Sequence, residues 1–318
     1  MYETIYDWDP IGYLDFTNYL EKLYQKSYSK KKKSIVNRFL NHMEYYFYEL
    51  IRMGFVNTDN FYLILNQLES IQKIDVLPKK LQRHYAITTG NSISLNPSVK
   101  GRDGLSKNSF QFMIDSHEIG HIINHVWEED AFKFCHTLSK NKNVKELLKS
   151  IGLSSKHLFY GFQLLDEVCT QELAERVTYQ SICRNRPNMT QKRDKRIFDF
   201  EPYVTNYCIY GEFQSFAIEF SRSLSFLNCS NDEDLQVLEK LASASINPNF
   251  IYKIEEEIYH NPECFNFTIL MIAIMGKVKE ATYQVIDLDA RKDEIVINDC
   301  VSIFQELCNK KNFTYQKK

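Results

Sequence analysis

His117, Glu118 and His121 sit in the pentapeptide His117-Glu118-Ile119-Gly120-His121, an H-E-x-x-H arrangement. Histidines four residues apart on a helix share one face, about 6 Å apart along the axis. Both imidazoles can then meet one zinc ion, whose Zn–N bonds are about 2.0–2.1 Å. Glu118 projects toward the same rim, where a carboxylate takes a proton from a zinc-activated water. The motif thus predicts two ligands and a general base. The plain alternative is a surface helix that happens to carry two histidines. Against it, Phe110, Met113, Ile114, Ile119, Ile122, Ile123 and Val126 surround the motif and mark a buried helix. Gly120 costs a helix interior roughly 1 kcal/mol relative to alanine, which points to another backbone close by.

A catalytic zinc usually takes three protein ligands and leaves one corner open. His125 lies about 12 Å along the axis from His117, too far to share an ion with both motif histidines. Asn124 and Trp127 also depart from the longer H-E-x-x-H-x-x-G-x-x-H pattern. The better source is Leu164–Glu175, which reads as a second helix with Glu167 and Gln171 one turn apart on one stripe. Glu167 is the candidate third ligand, and Gln171 is placed to hydrogen-bond a ligating histidine and hold its tautomer. Glu172 and Glu175 compete for the ligand role, their plain reading being a solvated face.

Together, His117-Glu118-Ile119-Gly120-His121 and the D-E-x-x-T-Q string at Asp166, Glu167, Thr170 and Gln171 resemble the H-E-x-x-H zinc metalloproteases with a glutamate third ligand, the gluzincins. The resemblance implies His117, His121 and Glu167 as ligands to one catalytic zinc and Glu118 as base. Gln171 departs from the pattern, since thermolysin-like members carry an acid there. A narrower resemblance is to anthrax lethal factor and the Pro-Pro endopeptidases, which have a tyrosine seven residues before the glutamate ligand. Here that residue is Tyr160, and the resemblance implies that it stabilises the oxyanion. Tyr203, Tyr207, Tyr210 and His157 are rivals for that role. Both resemblances rest mainly on residues 85–215.

The chain has 318 residues, 44% of them hydrophobic, enough for a substantial core. A net charge of −2 gives no support to nucleic-acid binding. The N-terminal residues are acidic and lack the basic and apolar regions of a signal peptide, so a cytoplasmic location is expected. Delivery into a host cell as a bacterial effector is the alternative. The longest apolar run, near Phe267–Met275, is about half of the ~20 residues that cross a bilayer, so no membrane association is expected. The eight cysteines form no C-x-x-C pair and read as reduced, mostly buried thiols.

Apolar residues from Val36 to Ile51 recur at helical spacing, predicting a helix over 34–54, and another is expected over Thr58–Ile71. Tyr85–Asn96 alternates on both sides of Thr89-Gly90-Asn91 and predicts a β-hairpin. By analogy with zinc peptidases, Ser92–Asn96 is a candidate edge strand for substrate. Residues 128–158 are charged and partly helical. Residues 184–196 form a basic loop, and further helices are expected over Leu235–Leu241, Phe250–Tyr259, Phe267–Lys277 and Ile295–Cys308. The expected fold class is mainly α (α+β): a zincin-like metallopeptidase core at 79–228 with a small antiparallel sheet, a helical N-terminal lobe at 1–78 and a helical C-terminal lobe at 229–318.

The function this implies is hydrolysis of peptide bonds in a protein or peptide substrate, by a zinc-activated water with Glu118 as base. Two other readings stand beside it. Bacterial regulators of the IrrE/ImmA type carry a similar motif and act on a repressor, although their acidic ligand lies in an E-x-E-A-N-like helix that Trp127–Phe132 echoes only faintly. The third reading is a noncatalytic zinc-binding interaction protein, closed by a fourth ligand.

Overall fold

In a computed structural model of the protein, residues 16–22, 30–82, 84–97, 99–100, 106–124, 127–183, 214–285 and 302 are described. Among the described residues the chain is mainly helical with one small sheet, the class its sequence implies. It divides into two compact units, Met1–Val126 with Thr170–Ile209, and Trp127–Cys169 with Tyr210–Lys318.

In the first unit, α1 (Lys30–Arg52) and α2 (Phe61–Glu69) pack on α3 (Lys107–Asn124), the helix that carries the H-E-x-x-H motif. The buried stripe of α1 runs through Val36, Phe39, Leu40, Met43, Phe47 and Leu50, at the spacing that puts one helix face into a core. Phe47 meets Phe16 and Phe61 with ring centroids 5.0 and 5.4 Å apart. α3 is buried on almost every side, so even Asp115 lies inside. Burying a lone carboxylate is prohibitive unless it is paired. Arg38 and His42 of α1 approach one oxygen of Asp115 at 3.2 and 2.6 Å, and Gln111 donates to the other at 3.0 Å. Asp115 therefore clamps the motif helix to α1.

The sheet consists of β1 (Lys73–Val76), β2 (Ala86–Thr89) and β3 (Ser92–Leu95) in the order β1-β3-β2. β2 and β3 form the expected hairpin, with Thr89 opposite Ser92 and Gly90 at φ 51° as the first residue of a two-residue turn. β1 was not anticipated, because four residues with only Ile74 buried carry no periodic signal. It pairs parallel with β3, so the sheet is mixed rather than purely antiparallel. The expectation of an edge strand at Ser92–Asn96 is thereby corrected. β3 is hydrogen-bonded on both sides and is the central strand, since Ile93 and Leu95 are the most buried residues of the hairpin. β2 lies at the edge and packs on α3, helped by Tyr85 set edge-on to Phe110 at 5.2 Å.

In the second unit, residues 128–158 form α4 (Glu128–Lys140) and α5 (Lys142–Ser150) and lead into α6 (Lys156–Cys183). Then come α7 (Gln214–Arg222), α8 (Asp234–Ser245), α9 (Phe250–His260) and α10 (Pro262–Val285). The expected helix over Ile295–Cys308 and the basic loop 184–196 lie outside the described residues. α6 and α10 meet at two glycines. A Cβ on Gly161 would collide with the carbonyl oxygen of Ile272, and one on Gly276 with that of His157. Without side chains at these points the two helix backbones can touch. Among the described residues, no helix is long and apolar enough to cross a membrane.

Candidate metal centre

α3 presents His117 and His121 one turn apart, with ring centroids 4.5 Å apart and planes at 89°. Their Nε2 atoms face each other at 3.0 Å. Two nitrogens bound to one tetrahedral zinc at about 2.0–2.1 Å stand about 3.4 Å apart, so the pair is close to ligating geometry.

The second element is α6, whose residues belong to the second unit up to Cys169 and to the first from Thr170. Within the first unit, α6 comes against α3 at Gly120. A Cβ there would lie 3.0 Å from Thr170 Cγ2 and 3.4 Å from Thr170 Cα. The glycine inside the motif is thus where the backbone of α6 draws near. Glu167 precedes Thr170 by one turn of the same unbroken helix. His117, His121 and Glu167 each offer one ligand atom, and the three atoms lie within 4.8 Å of one another. This group can hold a metal ion. Two imidazoles and a carboxylate are a donor set that suits zinc, although imidazole also suits copper, iron and nickel.

Glu118 is buried at 7% exposure and accepts a hydrogen bond of 2.6 Å from the Thr88 hydroxyl on β2. The edge strand thus holds the candidate base. Thr88 is a residue that sequence reading missed, since a threonine on a hairpin arm looks like ordinary strand alternation. Lys279 of α10 was missed as well. Its side chain is 3% exposed, and its ammonium stands 2.6 Å from Glu167 Oε1. In the sequence, a lysine close to Lys277 and Glu280 carries no sign of burial.

Several expectations about neighbouring residues change. Gln171 donates to Glu175 at 2.8 Å and to Met113 Sδ at 3.9 Å rather than to a motif histidine. Glu172 and Glu175 do not form a solvated face, being 1% and 2% exposed. Arg176 pairs with Glu172 at 2.5 Å. Burial pushes the Glu175 carboxyl up to about 8, with the charge of Glu172 adding to the rise and Gln171 and Arg176 opposing it. His157 is engaged elsewhere in the second unit, with Nε2 at 3.2 Å from Glu280 and Nδ1 accepting from Ser154 N at 2.9 Å. Tyr160 is half-buried, two turns before Glu167 on the same stripe of α6, and among the described residues no hydrogen bond ties it to the group. Tyr203, Tyr207, Tyr210 and His125 lie outside the described residues.

Compared with protein-family models, curated proteins and solved structures, the chain matches none.

Proposed function

We propose that the chain is a zinc-dependent metallopeptidase of the gluzincin type, acting on a protein or peptide substrate. The observation that carries this reading is the convergence of His117, His121 and Glu167, with the carboxylate of Glu118, next to His117 in the chain, held by Thr88. A zinc ion in that group supplies Lewis acidity, polarising a carbonyl and making a nearby water acidic. His117, His121 and Glu167 would hold it, with Glu167 contributing the one negative charge of the ligand set. Glu118 accepts the proton of the attacking water and passes it to the leaving amine. The Thr88 hydroxyl fixes the rotamer of Glu118, so that one carboxylate oxygen is occupied while the other serves the proton. Tyr160 is the proposed donor to the oxyanion, on the strength of its offset from Glu167 alone.

The test compares wild type with Glu118→Gln. Zinc content is measured by elemental analysis, and a peptide library is digested with and without chelator. The expected outcome is about one zinc per chain in both proteins, with cleavage only in the wild type. A loss of at least ~10²-fold is expected, since a positioned base typically contributes that much or more. Equal turnover in the variant would refute Glu118 as base. Zinc in both proteins with cleavage in neither would favour the noncatalytic reading, and cleavage confined to a repressor would favour the regulatory one.

A further inference from the structure

Lys279 has no part in the chemistry just described, yet it is among the most deeply placed charges of the second unit. Its side chain is almost wholly shielded from water and meets the Glu167 carboxylate at 2.6 Å. The placement is built into the fold. Gly161 and Gly276 let α6 and α10 touch backbone to backbone. Next along α10, Glu280 receives Lys156 at 2.5 Å, His157 at 3.2 Å and Lys277 at 2.8 Å. These bonds hold the end of α10 against the start of α6 and fix where Lys279 emerges. A long, flexible lysine would otherwise extend its ammonium into water.

The consequence is electrostatic. Two neutral imidazoles and one carboxylate carry a charge of −1 toward a divalent ion. With the ammonium included, these four residues sum to zero. Partners around a metal site usually make ligands more basic, as a carboxylate behind a ligating histidine does. An ammonium bonded to the ligating carboxylate does the reverse, and because the Lys279 side chain is itself shielded from water, its repulsion of a second cation is screened less than in bulk solvent. The same ammonium offsets the charge of the half-buried Glu167 carboxylate when no metal is bound.

We infer that Lys279 is a resident cation of the metal group, one that stabilises the metal-free protein and weakens metal binding, so that occupancy follows the free concentration of the ion. The inference rests on the metal-binding part of the reading above and not on peptidase activity. A purely orienting role for Lys279, holding Glu167 in place for the ion, predicts the opposite sign.

The experiment titrates zinc into the full-length chain against a chromophoric chelator, with thermal melts of the metal-free proteins and cobalt(II) spectra alongside. Lys279→Met is expected to bind zinc at least tenfold more tightly than wild type, to melt at a lower temperature without metal, and to keep the shape of the cobalt absorption bands. Lys279→Arg keeps the charge and should retain wild-type affinity. Should the methionine variant not fold, Lys279→Gln, with its polar head, gives the same reading. Zinc affinity unchanged or weaker in the neutral variants overturns the inference while leaving the metal group intact. A wild type that takes up neither zinc nor cobalt overturns both.

Discussion

Replacing Gly120 by alanine places a methyl group where α3 and α6 come together. The new Cβ would lie 3.0 Å from Thr170 Cγ2, 3.1 Å from Cβ and 3.4 Å from Cα. Carbon atoms settle at about 3.5–4.0 Å, so the helices must part by roughly half an ångström at this point or Thr170 must twist. Thr170 is fully buried and has little room to move. Overpacking of this kind costs about 1–3 kcal/mol, while alanine returns roughly 1 kcal/mol of helix propensity. Net stability should therefore change by no more than about 2 kcal/mol, and the variant should fold. Metal binding is less forgiving, because ligand distances must hold within about 0.2 Å. Glu167 moves with α6 while His117 and His121 stay on α3, so zinc affinity should fall at least tenfold, or about 1.4 kcal/mol. The assay is zinc titration against a competing chelator beside urea unfolding, for Gly120→Ala, Thr170→Ser and the double variant. Thr170→Ser removes the methyl that suffers the closest contact, so the double variant should recover part of both losses, with a coupling of about 1 kcal/mol. Wild-type zinc affinity in Gly120→Ala, with no coupling to position 170, would refute the reasoning.

Two other expectations concern the core. Glu175 should lower stability as pH rises. Its folded carboxyl titrates near 8 against an ordinary 4.5, so between these values the unfolded chain has lost the proton that the native chain retains. Stability from this group is thus intact below about pH 4.5 and declines toward pH 8, by an amount on the order of a few kcal/mol. Glu175→Gln should flatten the pH dependence of urea unfolding across that window, and parallel curves for the two proteins would contradict it. Gly276→Ala drives a methyl group into the carbonyl oxygen of His157 and to 2.8 Å from Gly161 N. Backbone atoms cannot rotate aside, so a loss of more than about 3 kcal/mol is expected by denaturant unfolding, and a loss below 1 kcal/mol would mean that α6 and α10 are not packed this closely.

The part of the candidate centre legible in the sequence is the part that one helix determines. His117 and His121 share a face because four residues make about one turn, whatever surrounds them. The apolar setting of α3, the long helix over 34–54 and the hairpin at Tyr85–Asn96 are also local patterns, and the structure contains all three. Gly120 even announced a neighbour, though not which one.

What tertiary structure decided depends on residues far apart in the chain. Glu167, Glu172 and Glu175 lie on one helix as equivalent carboxylates in sequence. Only the packing of α6 brings the first to the histidines, pairs the second with Arg176 and leaves the third bonded to Gln171. Thr88 and Lys279 reach the centre from 30 and 112 residues away, by hydrogen bonds that no periodicity encodes. β3 became the central strand because Lys73–Val76 paired with its free side. The rise and twist of a helix are properties of the backbone and can be read from spacing alone. The cost of a charge depends on what else excludes water around it, which is settled only when distant segments pack.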